Sequence, residues 1–140
     1  MEDKYNLKRF VDAQSNIYER ALNEIKNARK RSHWMWYIFP QYHGLGKRSI
    51  SVKYAINSED EAVSYVEHPF LGPRLKEITI ELLSIENKTA YEVLGRPDDL
   101  KIKSSMTLFD CVQSETDIFA SVLEKYFDGN RCSYTIGTLK

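Results

Sequence analysis

The chain has 140 residues, enough for one ordinary domain with one sizeable core and too few for two independent ones. Its 20 Lys and Arg balance its 20 Asp and Glu, so no general electrostatic pull draws it toward nucleic acid or an anionic membrane. A hydrophobic content of 42% with 12% aromatics marks a folded globular chain and excludes extensive disorder.

In chain order, the charged start MEDKYNLKRFVDAQ has no apolar core like that of a signal peptide, and no apolar run approaches the ~20 residues that span a bilayer. Asn6 is placed to cap a short helix carrying Leu7, Phe10 and Val11. Ser15 then starts a second helix, with Ile17, Tyr18, Ala21, Leu22, Ile25 and Ala28 as its apolar stripe. Its end is basic (KNARKR, 26–31), as the helix dipole favours. Residues 32–39 fit either a helical turn or a strand, ended by Pro40, and QYHGLGKRS reads as loop.

Ser58 to Glu61 matches a capping box for a helix that stops at His68-Pro69, where His68 is expected to cap the last carbonyls. Pro73 belongs in the first turn of the next helix, which carries Leu75, Ile78, Leu82 and Leu83. Thr89 to Glu92 is a second capping box, closed by Gly95. Asp98 or Asp99 caps a helix whose Leu100, Ile102, Met106, Leu108, Phe109 and Val112 are expected to be largely buried. Thr116 caps the last long helix, which ends at Gly129, and the tail NRCSYTIGTLK is expected to be weakly ordered or a brief turn. The expectation is an all-α, single-domain chain (residues 1–140) of about six helices. With two cysteines, Cys111 on an apolar helical face and Cys132 in the tail, the chain reads as a reduced cytoplasmic protein.

Few residues suggest chemistry. His33, His43 and His68 lack the spacing of a metal pair, so neither a metal nor a cofactor is expected. QYHGLGKRS lacks the first glycine and the preceding strand of a phosphate loop, yet its backbone amides, Lys47, Arg48 and Ser49 could still meet an anion. KSSMTLF (103–109) places Ser104, Ser105 and Thr107 inside a core helix, where hydroxyls either bond back to carbonyls or face a polar pocket. KRSHWMWYIFPQ (30–41) brings Trp34, Trp36, Tyr37 and Phe39 beside Lys30, Arg31, His33 and Gln41. It serves as a core plug, with partners needed for each buried indole and hydroxyl, or as the wall of an aromatic cleft.

The blocks RFVDAQ (9–14), KRSHWMWYIFPQYHGLGKRS (30–49), HPFLGPRL (68–75) and PDDLKIKSSMTLF (97–109) resemble, in order and spacing, the domain-of-unknown-function family numbered eighteen-ten. That family is bacterial and fungal, and some members carry the label "calpastatin". The resemblance covers nearly the whole chain and implies one small multihelical domain. It brings no established reaction, cofactor or catalytic residue. An extended, disordered protease inhibitor does not fit so aromatic a chain. The matched blocks are rich in polar and aromatic types, among them Arg9 and Gln14, which suggests that folding gathers them into one cleft.

The leading expectation is a site for a small anionic or nucleotide-like ligand. Lys30, Arg31 or Lys103 would meet negative charge, Trp34 or Trp36 would stack, and Gln41, Ser49, Ser104, Ser105 and Thr107 would orient the ligand. His33 is the best general acid or base for a metal-free hydrolysis or group transfer, with Asp12 or Asp110 able to approach it in space. The alternative is a non-catalytic protein-interaction module that uses the aromatic stretch as its contact surface. Nucleic acid ranks last on charge.

Overall fold

The computed structural model describes residues 3–139. Among them are ten helices: α1 (Lys8–Gln14), α2 (Tyr18–Lys26), α3 (Met35–Ile38), α4 (Ser49–Lys53), α5 (Glu59–Glu67), α6 (Leu71–Ser84), α7 (Ala90–Leu94), α8 (Asp98–Val112), α9 (Ile118–Phe127) and α10 (Ser133–Thr138). The fold is all-helical, without a strand among the described residues, but it exceeds the expected six helices. Six helices have seven residues or more. The other four (α3, α4, α7 and α10) span under two turns, too short for an apolar period to repeat. No helix among the described residues is long and apolar enough to cross a membrane.

Several helix boundaries differ from the expected ones, and the reason is local hydrogen bonding. Asn6 takes a positive φ of 53°, and Asp3 caps α1 instead, its carboxylate accepting from the amides of Leu7 and Lys8 at 2.8 and 2.9 Å. The Ser15 hydroxyl donates to the Asp12 carbonyl at 2.8 Å, so α2 starts three residues later than expected, at Tyr18. Ser58 caps α5, but the Glu61 carboxylate turns to the Asn57 amide and to Arg9, leaving half a capping box. His68 closes α5 through its backbone, its amide donating to the Tyr65 carbonyl, while its imidazole opens α6 instead of capping carbonyls: Nδ1 accepts from the amides of Phe70 and Leu71 at 3.1 and 3.2 Å. The Thr89–Glu92 box is complete, and Gly95 ends α7 at φ 76°. Pro97 precedes α8, whose first-turn Asp98 and Asp99 pair with cations instead of capping. The Thr116 hydroxyl accepts from the Ile118 amide at the start of α9. The tail folds into α10 and docks on α8, the Cys132 amide donating to Thr107 Oγ1 at 3.0 Å. Both cysteines are free, and Cys111 is exposed rather than packed.

Helix α8 lies at the centre, packed against α5, α7, α9 and α10, while α6 packs against α2, α5 and α9. One hydrophobic core runs from Leu7 to Leu123. An aromatic line crosses it, from Phe10 to Tyr65 (5.0 Å, edge-to-face), to Phe109 (5.3 Å) and to Phe119 (6.0 Å). Each fully buried side chain of this size contributes on the order of 1.5–3 kcal/mol over leaving it exposed.

Two buried polar hubs lock the elements. Arg9 donates to the carbonyls of Tyr5, Asn6, Lys53 and Ala55 and to the Glu61 carboxylate. That joins α1 to the end of α4 and to α5. Gln14 spends both amide hydrogens on the Tyr37 carbonyl and the Tyr65 hydroxyl, and its oxygen accepts from Arg74. Arg9 and Gln14, expected in the cleft, are therefore joints of the scaffold.

Candidate functional site

The segment KRSHW folds around one carboxylate. Glu24, buried on α2, accepts from the amides of Arg31 (2.8 Å) and Ser32 (3.0 Å), the Ser32 hydroxyl (2.6 Å) and the Trp34 indole N–H (2.8 Å). Burial alone would raise the Glu24 carboxyl, but these four donors outweigh it and hold the pKa at about 2. Trp34 is 0% exposed. It is a core plug whose one polar atom is satisfied, and no ligand ring can stack on it from either cleft described below.

Lys30 fixes the other end of the segment. Its amide donates to the Val93 carbonyl at 2.7 Å, and its ammonium meets the Ser32 carbonyl and, at 2.9 Å, Asp98. The ammonium also lies 5.0 Å above the Trp34 ring. From this floor opens a cleft of about 360 Å³. Arg31, His33 and Trp36 line one side, Arg48 comes from the start of α4, and Arg96, Asp98 and Lys101 come from the start of α8. Five permanent cations therefore face one lining carboxylate. Asp98 holds both Lys30 and Lys101, at 2.9 and 3.3 Å, and Arg96 pairs with Asp99. Among the described residues, Arg31 and Arg48 have no carboxylate partner. A concentrated positive field on a chain of zero net charge is a feature of position that totals conceal.

Trp36 also lines a second pocket, of about 540 Å³, with Gln41, Tyr42, the loop 43–47, Val52, Tyr54 and Asn57. Lys101 lies 4.8 Å from the Trp36 ring and belongs to the basic cleft alone. Backbone bonds from His43 to Ile56 and from Ile56 to Gln41, both 2.9 Å, clamp the two ends of this pocket's wall. Its loop is held from α10, where the Tyr134 hydroxyl donates to the His43 carbonyl at 3.0 Å. Gly44 admits that contact: a Cβ there would stand 1.9 Å from the Tyr134 oxygen, and its φ is 96°.

Of the residues expected in a site, Lys30, His33 and Trp36 meet in the basic cleft, and Trp36 and Gln41 meet in the neighbouring pocket. Ser104 stands behind Gln41, accepting from its amide and donating to the Lys101 carbonyl. Ser49 is exposed at the first turn of α4 and lines neither opening. The others are elsewhere. Lys103 lies 5.9 Å from the Phe127 ring, and Thr107 bonds the Lys103 carbonyl and holds α10. Ser105 is fully buried, its hydroxyl without a partner among the described residues. His33 is exposed and has no carboxylate to orient it, because Asp12 pairs with Lys8 and Asp110 with Arg131.

Sequence reasoning did not assign Arg96 or Asp98 to the site, and it named Arg48 only within a loop that could meet an anion. The only signal was the density of charge in GRPDDLK and GKRS, which is the same signal a solvated surface gives. Among the described residues no three His, Cys, Asp or Glu side chains form a group that could hold a metal ion.

A family model described as "Protein of unknown function (DUF1810)" matches residues 4–139. The fold is similar to a crystal structure of the conserved hypothetical protein Rv1873 from Mycobacterium tuberculosis, at 42% identity, 98% coverage of each chain and a TM-score of 0.96. No curated protein matches the chain.

Proposed function

Because the chain belongs to the DUF1810 family, whose description assigns no reaction, its function has to be read from its own clefts, and we propose that the basic cleft binds a small anionic ligand. One observation carries this reading: five permanent cations and one lining carboxylate converge on about 360 Å³. Asp98 and Asp99 already compensate three of these cations, and an anion would compensate the other two, Arg31 and Arg48. Arg31 and Arg48 offer planar forks suited to phosphate or carboxylate oxygens. Lys101 and Lys30 add point charges from the floor, already aimed by Asp98.

Binding is favoured over catalysis. His33 is the one lining group fit to move a proton, and a hydrolase or transferase reading would rest on it. The carboxylate in its cleft, Asp98, is engaged by two lysines. The protein-contact alternative keeps only half-buried aromatic anchors, Trp36 and Tyr37, since Trp34 and Phe39 are buried.

A thermal-shift series with inorganic phosphate, pyrophosphate and a sugar phosphate tests the proposal. Saturation at 100 times Kd stabilises a protein by about 2.7 kcal/mol, which a melting curve resolves easily. The expected result is stabilisation by at least one polyanion, lost in Arg48→Ala and Lys101→Ala variants that stay folded. Equal stabilisation of wild type and both variants would move the site elsewhere.

A further inference from the structure

We infer that the basic cleft and the pocket beside it form one two-lobed site, whose ligand is a phosphate ester of a planar heterocycle, that is, a nucleotide. The inference rests on the anion-binding reading above and adds the ligand's other half. Trp36 is common to both lobes. Lys101 lies over the indole and lines the basic lobe only, so that side of Trp36 carries charge and meets the phosphate. In the other lobe Trp36 lies with Gln41 and Tyr54, and there a ring can stack on it.

The second lobe has the chemistry of a base pocket. Tyr42, Val52, Tyr54 and Leu45 supply apolar and aromatic walls around Trp36. Gln41 spends an amide hydrogen on Ser104, and Asn57 spends one on the Ala55 carbonyl. Each amide oxygen is left without a protein donor among the described residues, ready to accept from the N–H edge of a heterocycle. Free phosphate would use none of this. A plain aromatic ring would leave both amide oxygens dry, at a cost that a hydrogen-bonding ring avoids. The lobe is also pre-formed: the clamp between Gln41 and Ile56 and the Tyr134 contact hold its wall before any ligand arrives.

Tryptophan fluorescence and calorimetry with adenosine 5′-monophosphate and inorganic phosphate test this. Stacking of a base on an aromatic side chain is worth roughly five- to 150-fold in affinity. Wild type is expected to bind the nucleotide at least tenfold more tightly than inorganic phosphate, with quenching of emission. Trp36→Phe should lose that quenching while Trp34 still emits. Val52→Glu, at an exposed position of the second lobe, should narrow the preference without unfolding the chain. Equal affinity for the two ligands, or quenching that persists in Trp36→Phe, would overturn the two-lobed site and leave the anion cleft standing. Binding of neither ligand would overturn both.

Discussion

Residues 30–36 are shared by two regions built from the same kinds of side chain, and the regions behave oppositely. Around Glu24 the polar groups close on one another: one carboxylate, four donors and a buried indole with its N–H satisfied. A few ångströms of chain further on, the basic cleft does not close. Of its five permanent cations Asp98 holds two and Asp99 a third, Arg31 and Arg48 have no carboxylate partner among the described residues, and Trp36 is only half-buried. The pair of tryptophans, one buried and one half-buried, shows that composition does not separate scaffold from candidate site. What separates them is whether the local inventory of donors, acceptors and charges balances without a ligand.

The largest expected effect tests that division on the tryptophans themselves. Trp34→Ala should destabilise the protein by about 3–5 kcal/mol, the range for removing a fully buried aromatic. Trp36→Ala should cost less than half as much by the same urea titration. Comparable losses would break the comparison. Next comes Arg9, a cation closed within the scaffold. Arg9→Ala leaves the buried Glu61 carboxylate without its cation and the Tyr5 and Lys53 carbonyls without their side-chain donor, a change in the range of about 3–5 kcal/mol. Arg48→Ala, by contrast, should stay within about 0.5 kcal/mol, as surface substitutions do.

The pH dependence sharpens the closed half. Glu24 has a folded pKa of about 2 against an ordinary 4.5, so it binds its proton less readily when folded. Its contribution is fully present above pH 4.5 and drains away as the pH falls toward 2. In a Glu24→Gln variant, the part of the acid destabilisation that falls between those values should shrink, read from urea midpoints at stepped pH. The smallest effect belongs to His33→Ala. An exposed imidazole with no carboxylate partner should change stability by no more than about 0.5 kcal/mol.

Much of the scaffold was legible in the sequence because it repeats. The stripes on α2, α6, α8 and α9 gave the all-helical class, and Thr89-to-Glu92 with Gly95 located α7 to the residue. Short helices such as α4 and α10 carry no repeat and went unread. Caps failed where a competitor lay close at hand. Asp3 outreached Asn6, and Glu61 was drawn away from Ser58 by Arg9. The candidate site was legible by half. Lys30, His33, Trp36 and Gln41 stand together because one segment carries them. Arg96 and Asp98 arrive from α8 by tertiary packing, for which their own sequence has no period or motif. Trp34 and Thr107 were misplaced for the opposite reason: their residue types suit a pocket, but Glu24 and Cys132 absorb their polar atoms.

The central claim is that the unbalanced half of this segment is the functional half. A calorimetric titration with pyrophosphate, in wild type and in the double variant Arg48→Ala/Lys101→Ala, tests it most directly. The account predicts saturable binding to wild type that weakens as salt rises, and at least tenfold weaker binding to a double variant of unchanged stability. Identical affinity in the two proteins, or no binding to wild type at low salt, would contradict it.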